Sequence, residues 1–276
     1  MGKGIGLIAG HTKKVGNTVG FRNSASNNGQ TQGYRVYQPI VRNPKTAAQA
    51  EARAKTAAVN ATYTMLKMII DRGNETLPYG NLSRCAWLKK AFKADIMPWF
   101  EKGAVVTAPV ICQLTTGSIQ SVDFYINDEQ IKFPLSDSTL QTEIQTIGDL
   151  TNVLLTYKTG FREGDQLTLV FATPYETGWR FEIKSFILDT ESSTPVEMWY
   201  CSQGRLSYDC GDLILCAAAI ISRQGAAGKH LRSTSFLKAN SDELSNPPYD
   251  SASKSAAIAS YQTSHSANTD WAEDNT

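Results

Sequence analysis

The sequence predicts an α+β protein: an N-terminal basic β-ribbon and helices, followed by an antiparallel β-sandwich-like domain. Three observations carry that expectation. Apolar residues recur at helical spacing mainly in the first hundred positions. Beyond position 103 they alternate or run continuously, as in strands. Charge divides along the same line. Residues 1–100 hold fifteen Lys or Arg against four acidic residues, a surplus of eleven positive charges; the rest of the chain holds twelve against twenty-two, a deficit of ten. The net charge of +1 over 276 residues conceals this segregation.

The elements follow in order. Val15, Val19 and Phe21 fall on one side of an extended segment and Gly16, Thr18 and Gly20 on the other, because side chains alternate along a strand. Asn28-Gly29 is a hairpin turn dipeptide, and a second strand is expected near Tyr34 to Tyr37. With Arg22 and Arg35 the pair forms a basic ribbon. Asn43-Pro44-Lys45-Thr46 opens a helix, with Thr46 as cap and Gln49 completing a capping box. Its small residues Ala47, Ala50, Ala54, Ala57 and Ala61 lead into an apolar stripe of Val59, Tyr63, Leu66 and Ile70, and Gly73 stops it. A second helix is expected from Asn81 to Ala94.

In the acidic part, Leu167, Leu169 and Phe171 alternate with smaller or more polar residues, and Trp179, Phe181 and Ile183 alternate with Arg180, Glu182 and Lys184. The apolar parity changes at Ser185, which predicts a β-bulge there. Leu213 to Ile221 is a continuous apolar run, expected as a strand buried on both faces, and Leu231 to Leu237 is expected as the last strand. One helix interrupts, at Ile147 to Tyr157, where Leu150, Val153, Leu154 and Tyr157 recur at helical spacing. About six to eight strands in this region fit a sandwich or a small β-domain. The expected domains are 1–102 (basic hairpin plus helices), 103–239 (acidic, strand-rich) and 240–276 (polar tail).

Several function classes find no support. The longest apolar run, Leu213 to Ile221, has nine residues, where a membrane-spanning helix needs about 20. The N-terminus lacks a secretory pattern, and Gly6 stands where a myristoylation motif requires Ser or Thr. Gly2, Gly4, Gly6 and Ala9 mimic a dinucleotide fingerprint, but no acidic residue occurs before Glu51 to hold a ribose. There is no phosphate-binding Gly-Lys-Ser/Thr, no GxSxG and no HExxH. Five cysteines at loose spacing, with no CxxC and three scattered histidines, read as reduced thiols in strands rather than a zinc site. Carboxylates such as Asp128, Glu129, Glu163 and Asp165 sit in turn sequences. The expectation is a protein that is not an enzyme and uses no cofactor or metal.

The positive front is the informative feature. Lys13, Lys14, Arg22, Arg35, Arg42, Lys45, Arg53 and Lys55 fall on the ribbon and first helix, interleaved with Phe21, Tyr34 and Tyr37. Such a surface serves nucleic-acid phosphates, or it docks on an acidic surface of this chain or of a neighbouring copy. The acidic complement in the same chain tips the balance toward assembly.

Three stretches resemble one family. GKGIGLIAGHTKKVGNTVGF is similar to a Gly-Lys-Val-Gly opening. IVRNPKTAAQAEARAK resembles an Asn-Pro-x-Thr-x-x-Gln-x-x-x-Arg segment, with Asn43, Pro44, Thr46, Gln49 and Arg53 at the matching positions. AAAIISRQGAAGKHLRSTSFL is similar to an ending of hydrophobic strand, Ser-Arg and Arg-Ser-Thr. The family comprises proteins encoded by gut bacteria of the Bacteroides group and by their phages. The resemblance implies a virion structural protein, capsid- or tail-associated, made in the host cytoplasm. Its expected partners are further copies of itself and other virion proteins, with no membrane. The alternative is a cytoplasmic protein that binds nucleic acid without sequence preference.

Overall fold

The computed structural model describes residues 14–15, 19–23, 31–35, 47–94, 109–175, 178–225, 228–245, 251–252 and 255–256. The chain divides into two compact units, residues 1–45 with 268–276, and residues 46–267. The first holds a three-stranded antiparallel sheet of β1 (Lys14–Val15), β2 (Val19–Asn23) and β3 (Thr31–Arg35). The expected hairpin is present, its turn lying outside the described residues. Its second strand sits earlier than Tyr34 to Tyr37, since Val19 pairs with Arg35 and Asn23 with Thr31.

The second unit opens with α1 (Ala47–Ile70) and α2 (Asn81–Ala91). Gly73 follows the end of α1 where the chain passes close to Leu114: a Cβ there would lie 2.8 Å from the Leu114 carbonyl oxygen. Ser83 Oγ donates to the Ile70 carbonyl at 2.7 Å, satisfying one of the carbonyls orphaned at the end of α1. Then come β4 (Gln113–Thr115), β5 (Tyr125–Asn127), β6 (Gln130–Pro134), α3 (Ile147–Tyr157), β7 (Gln166–Tyr175) and β8 (Gly178–Ile187). They are followed by β9 (Trp199–Ser202), β10 (Arg205–Asp209), β11 (Cys216–Gln224), β12 (His230–Arg232), β13 (Ser235–Phe236), β14 (Lys238–Ala239) and α4 (Ser241–Leu244). The helix α3 has the bounds its spacing predicts. Thr146 and Asp149 form a full capping box at its start, with Asp149 N–H donating to Thr146 Oγ1 and Thr146 N–H to Asp149 Oδ2.

The protein is α+β with a sandwich of antiparallel sheets. One sheet runs β12-β11-β7-β8, with β14 also on β11; the other runs β5-β6-β10-β9; β4 and β13 form a small pair. The strands β7 and β11 are buried on both faces, and alternation sends their side chains into two cores. Val170, Ala172, Ala218 and Ile220 join Val59, Leu66, Ile70 and Trp87 of the helices. Leu167, Leu169, Phe171, Ala217 and Ala219 join Phe133, Leu206, Trp199 and Leu154, so α3 and the second sheet close the opposite face. The Ala-rich run of β11 makes room for large neighbours: Ala217 pairs with Phe171, Ala218 with Val170 and Ala219 with Leu169.

Two strand expectations need correction. No bulge occurs at Ser185. The β7–β8 register is continuous from Gln166↔Ile187 to Tyr175↔Gly178. The parity changes because the two faces of β8 serve different cores: Trp179 and Phe181 meet the helices, whereas Phe186 meets Trp199 and Tyr208 at centroid distances of 5.5 and 6.1 Å. The last strand is also not continuous. It breaks into β12 and β13 where serine side chains interrupt the ladder: Ile221 N–H donates to Ser233 Oγ at 2.9 Å, and Ser235 Oγ donates to the Ala219 carbonyl at 2.7 Å.

At the start of β7, Asp165 is fully buried and held by Arg223 from β11 in a two-pronged pair, Nε–Oδ1 2.7 Å and Nη2–Oδ2 2.8 Å. Arg162 N–H also donates to Oδ2 at 2.8 Å. The fork geometry is specific to guanidinium and carboxylate. Arg223→Met leaves the Asp165 carboxylate buried and unpaired, and costs about 3 kcal/mol, the low end for such pairs because Arg223 itself reaches solvent. Urea unfolding measures this; the double variant Asp165→Leu with Arg223→Met recovers most of the loss.

Candidate functional site

The predicted basic residues divide between the two units. In the first, Lys14 pairs with Gly20, Arg22 with Gln32 and Arg35 with Val19, so three cations occupy adjoining strands of one small sheet. Lys13, Arg42 and Lys45 lie outside the described residues. Arg53 falls within α1. Lys55 also lies on α1, where its Nζ donates to the Ala94 carbonyl at 2.9 Å and ties that helix to the residues after α2. Lys90 plays a similar part, donating to Thr116 Oγ1 at 2.6 Å.

Among the described residues, no group of three His, Cys, Asp or Glu side chains is gathered to hold a metal. Cys201 lies in β9 and Cys216 in β11, both buried, and Cys210 follows β10, half-buried. Burial pushes the Cys112 and Cys210 thiols up to about 12, and Cys216 well above its ordinary value, so these thiols stay protonated at neutral pH.

Two features stand out that the basic front did not foreshadow. The first is the outer edge of β8. This ten-residue strand ends its sheet, and among the described residues no strand pairs with its far side. Alternate backbone groups therefore remain open over about 33 Å, given a rise of about 3.3 Å per residue. Ile183 is 43% exposed and Ile187 63%. On the alternate face Arg180 and Glu182 form an ion pair, Nη2–Oε1 2.8 Å.

The second is a cleft of ≈ 540 Å³ beside the end of α1, lined by residues of the α1–α2 connection, β7, β11 and β12. Glu75 organises one wall. Its Oε2 accepts Ser118 N–H at 2.9 Å and Arg232 N–H at 3.2 Å, Ser118 Oγ donates to both carboxylate oxygens, and Lys229 Nζ stands 3.4 Å from Oε1. Gly117 is required here because a Cβ would fall 2.0 Å from the Arg232 carbonyl oxygen and 2.9 Å from Glu75 Oε2. Burial alone would raise the Glu75 carboxyl, but the donated hydrogen bonds outweigh it and hold its pKa below the ordinary value.

The other groups facing the cleft are cationic or neutral: Arg72, Arg232, His230, Gln166 and Ser222. Arg72 lies over the Tyr79 ring, 5.2 Å from its centroid. No motif signals this grouping in the sequence; Glu75 and Arg232 are 157 positions apart and meet only through the fold.

Compared with known proteins, the chain matches no family model, no curated protein and no solved structure.

The lowered Glu75 pKa has a stability consequence with a definite sign. A depressed carboxyl contributes stability above its unfolded value, near 4.5, and loses it as pH falls through the lower folded value. Glu75→Gln destabilises the protein at pH 7 by about 1.5–3 kcal/mol, the range for hydrogen bonds to a charged group. Urea unfolding at pH 7 and pH 3 checks it: the gap between parent and variant narrows at the lower pH.

Proposed function

We propose that this chain is a non-catalytic structural component of a phage particle, capsid- or tail-associated, that works in multiple copies. The observation that carries the reading is the open edge of β8. A long edge strand with exposed Ile183 and Ile187 is a template for pairing with another chain. The occupant we assign is a second copy, paired antiparallel about a two-fold axis at Phe181. That register sets Arg180 of one copy opposite Glu182 of the other, twice, so the charges that would repel a random strand favour this one. The opposed charges of the two parts of the chain, +11 and −10, give repeated copies a second complementary contact. The resemblance to phage-encoded proteins points the same way.

A second reading is favoured by one specific observation, the placement of Lys14, Arg22 and Arg35 on adjoining strands. In that reading the protein binds nucleic acid without sequence preference and never enters a particle. Binding would weaken steeply with salt, by about one logarithmic unit of slope for each lost phosphate contact.

Sedimentation velocity tests the assembly. Glu182→Arg places like charges opposite each other and weakens self-association about tenfold or more, whereas Arg180→Glu with Glu182→Arg restores the pairing and the association. Association unchanged in both variants contradicts the edge pairing. Mass spectrometry of purified virions tests location, and absence of the chain from virions removes the structural reading. Filter binding of DNA at two salt concentrations, with Lys13, Lys14, Arg22 and Arg35 all changed to Ala, decides whether the second reading takes its place.

A further inference from the structure

We propose that the cleft beside the end of α1 is a phosphate-binding site, with Arg72 and Arg232 as its two principal ligands. The inference is independent of the assembly reading and concerns a different part of the surface.

The cleft gathers more cationic charge than its own acid can balance. Glu75 is the carboxylate that lines it, and its oxygens are occupied by Ser118, the Arg232 backbone N–H and Lys229. Lys229 is thereby neutralised. The guanidinium groups of Arg72 and Arg232 are left without a carboxylate: neither takes part in an ion pair among the described residues. A partly buried guanidinium without a counter-charge is costly, as at Arg232, and the exposed guanidinium of Arg72 beside it adds repulsion. Both effects are felt at Arg232, where burial first and the Arg72 charge second push the pKa below its ordinary value. The fold nonetheless holds Arg232 in place. Its N–H donates to Glu75, and its carbonyl accepts Ile119 N–H at 2.9 Å. Arg72 is steadied by the Tyr79 ring.

A phosphate oxyanion relieves both costs at once. Phosphate offers oxygens for two guanidinium forks, a geometry to which Arg is suited and Lys is not. Ser222, Gln166 and His230 line the same cleft and supply further donors for the remaining oxygens. A carboxylate presents its two oxygens along one planar edge and fits two converging guanidinium groups less well than tetrahedral phosphate oxygens do. The chemistry is shared by free phosphate and by the phosphodiester of a nucleic acid, and the test separates them.

The experiment follows thermal unfolding of the full chain in sodium phosphate, in sodium chloride of equal ionic strength, and with a ten-nucleotide oligo-dT. Phosphate at ten times its dissociation constant raises Tm by about 3–6 °C over chloride. A rise with inorganic phosphate identifies the free ion as the ligand; a rise with oligo-dT alone identifies the diester. In either case Arg232→Gln and Arg72→Gln each abolish the rise. The ligand-free Tm of Arg232→Gln equals or exceeds that of the parent, because an uncompensated charge has been removed. A purely structural arginine would lower it. The proposal is overturned if neither phosphate nor oligo-dT raises Tm beyond chloride, if the variants respond as the parent does, or if Arg232→Gln is destabilised in the absence of ligand.

Discussion

Burial of β7 and β11 on both faces sets the terms for everything else in the larger unit. A strand pair with apolar side chains above and below needs two covers. Helices α1 and α2 supply one, through Val59, Leu66, Ile70 and Trp87; α3 and the sheet β5-β6-β10-β9 supply the other, through Leu154, Phe133, Leu206 and Trp199. The alanines of β11 follow from the same demand, since they oppose Phe171, Val170 and Leu169 across the ladder. The price is paid at the rim. β7 is flanked by β8 and β11 by the short β12 and β14, so β8 carries an open edge among the described residues, and the start of β7 requires the Asp165–Arg223 clasp to bury a carboxylate.

Much of this was legible in the sequence, for physical reasons that differ from element to element. The helices α1 and α3 announced themselves through spacing, and Gly73 through its role as a stop. The apolar run expected as a strand over Leu213 to Ile221 was readable as doubly buried because it has no polar alternation, although the strand itself begins at Cys216 and runs on to Gln224. Misreadings arose where one strand serves two environments. Phe186 changes parity relative to Phe181 because it enters a different core, which in a linear pattern looks like a bulge. The segment after Leu231 reads as one strand, yet Ser233 and Ser235 divert its hydrogen bonds. The cleft was invisible, because Arg72, Glu75 and Arg232 carry no motif and become neighbours only once β12 is laid along β11.

Charge has different uses in different places. On β1 to β3 it is carried by adjoining strands. On α1 and α2, Lys55 and Lys90 spend their donors on Ala94 and Thr116, so part of the positive surplus is structural. Around Glu75 a buried carboxylate organises the backbone of Ser118 and Arg232. At Arg232 a partly buried guanidinium has no carboxylate partner among the described residues, and the exposed Arg72 stands beside it. A surplus of cations in a sequence therefore says little until each has been assigned a partner.

The central claim is that a chain built around a doubly buried strand pair uses the open edge of β8 to join a second copy. Hydrogen exchange compared between dilute and concentrated, self-associated protein tests it most directly. The account predicts that β7 and β11 amides are strongly protected in both states. Alternate amides of β8 exchange freely when dilute and gain protection of about tenfold or more on association, since open edge groups acquire partners. Equal exchange of the β8 amides in both states, with association intact, would contradict it.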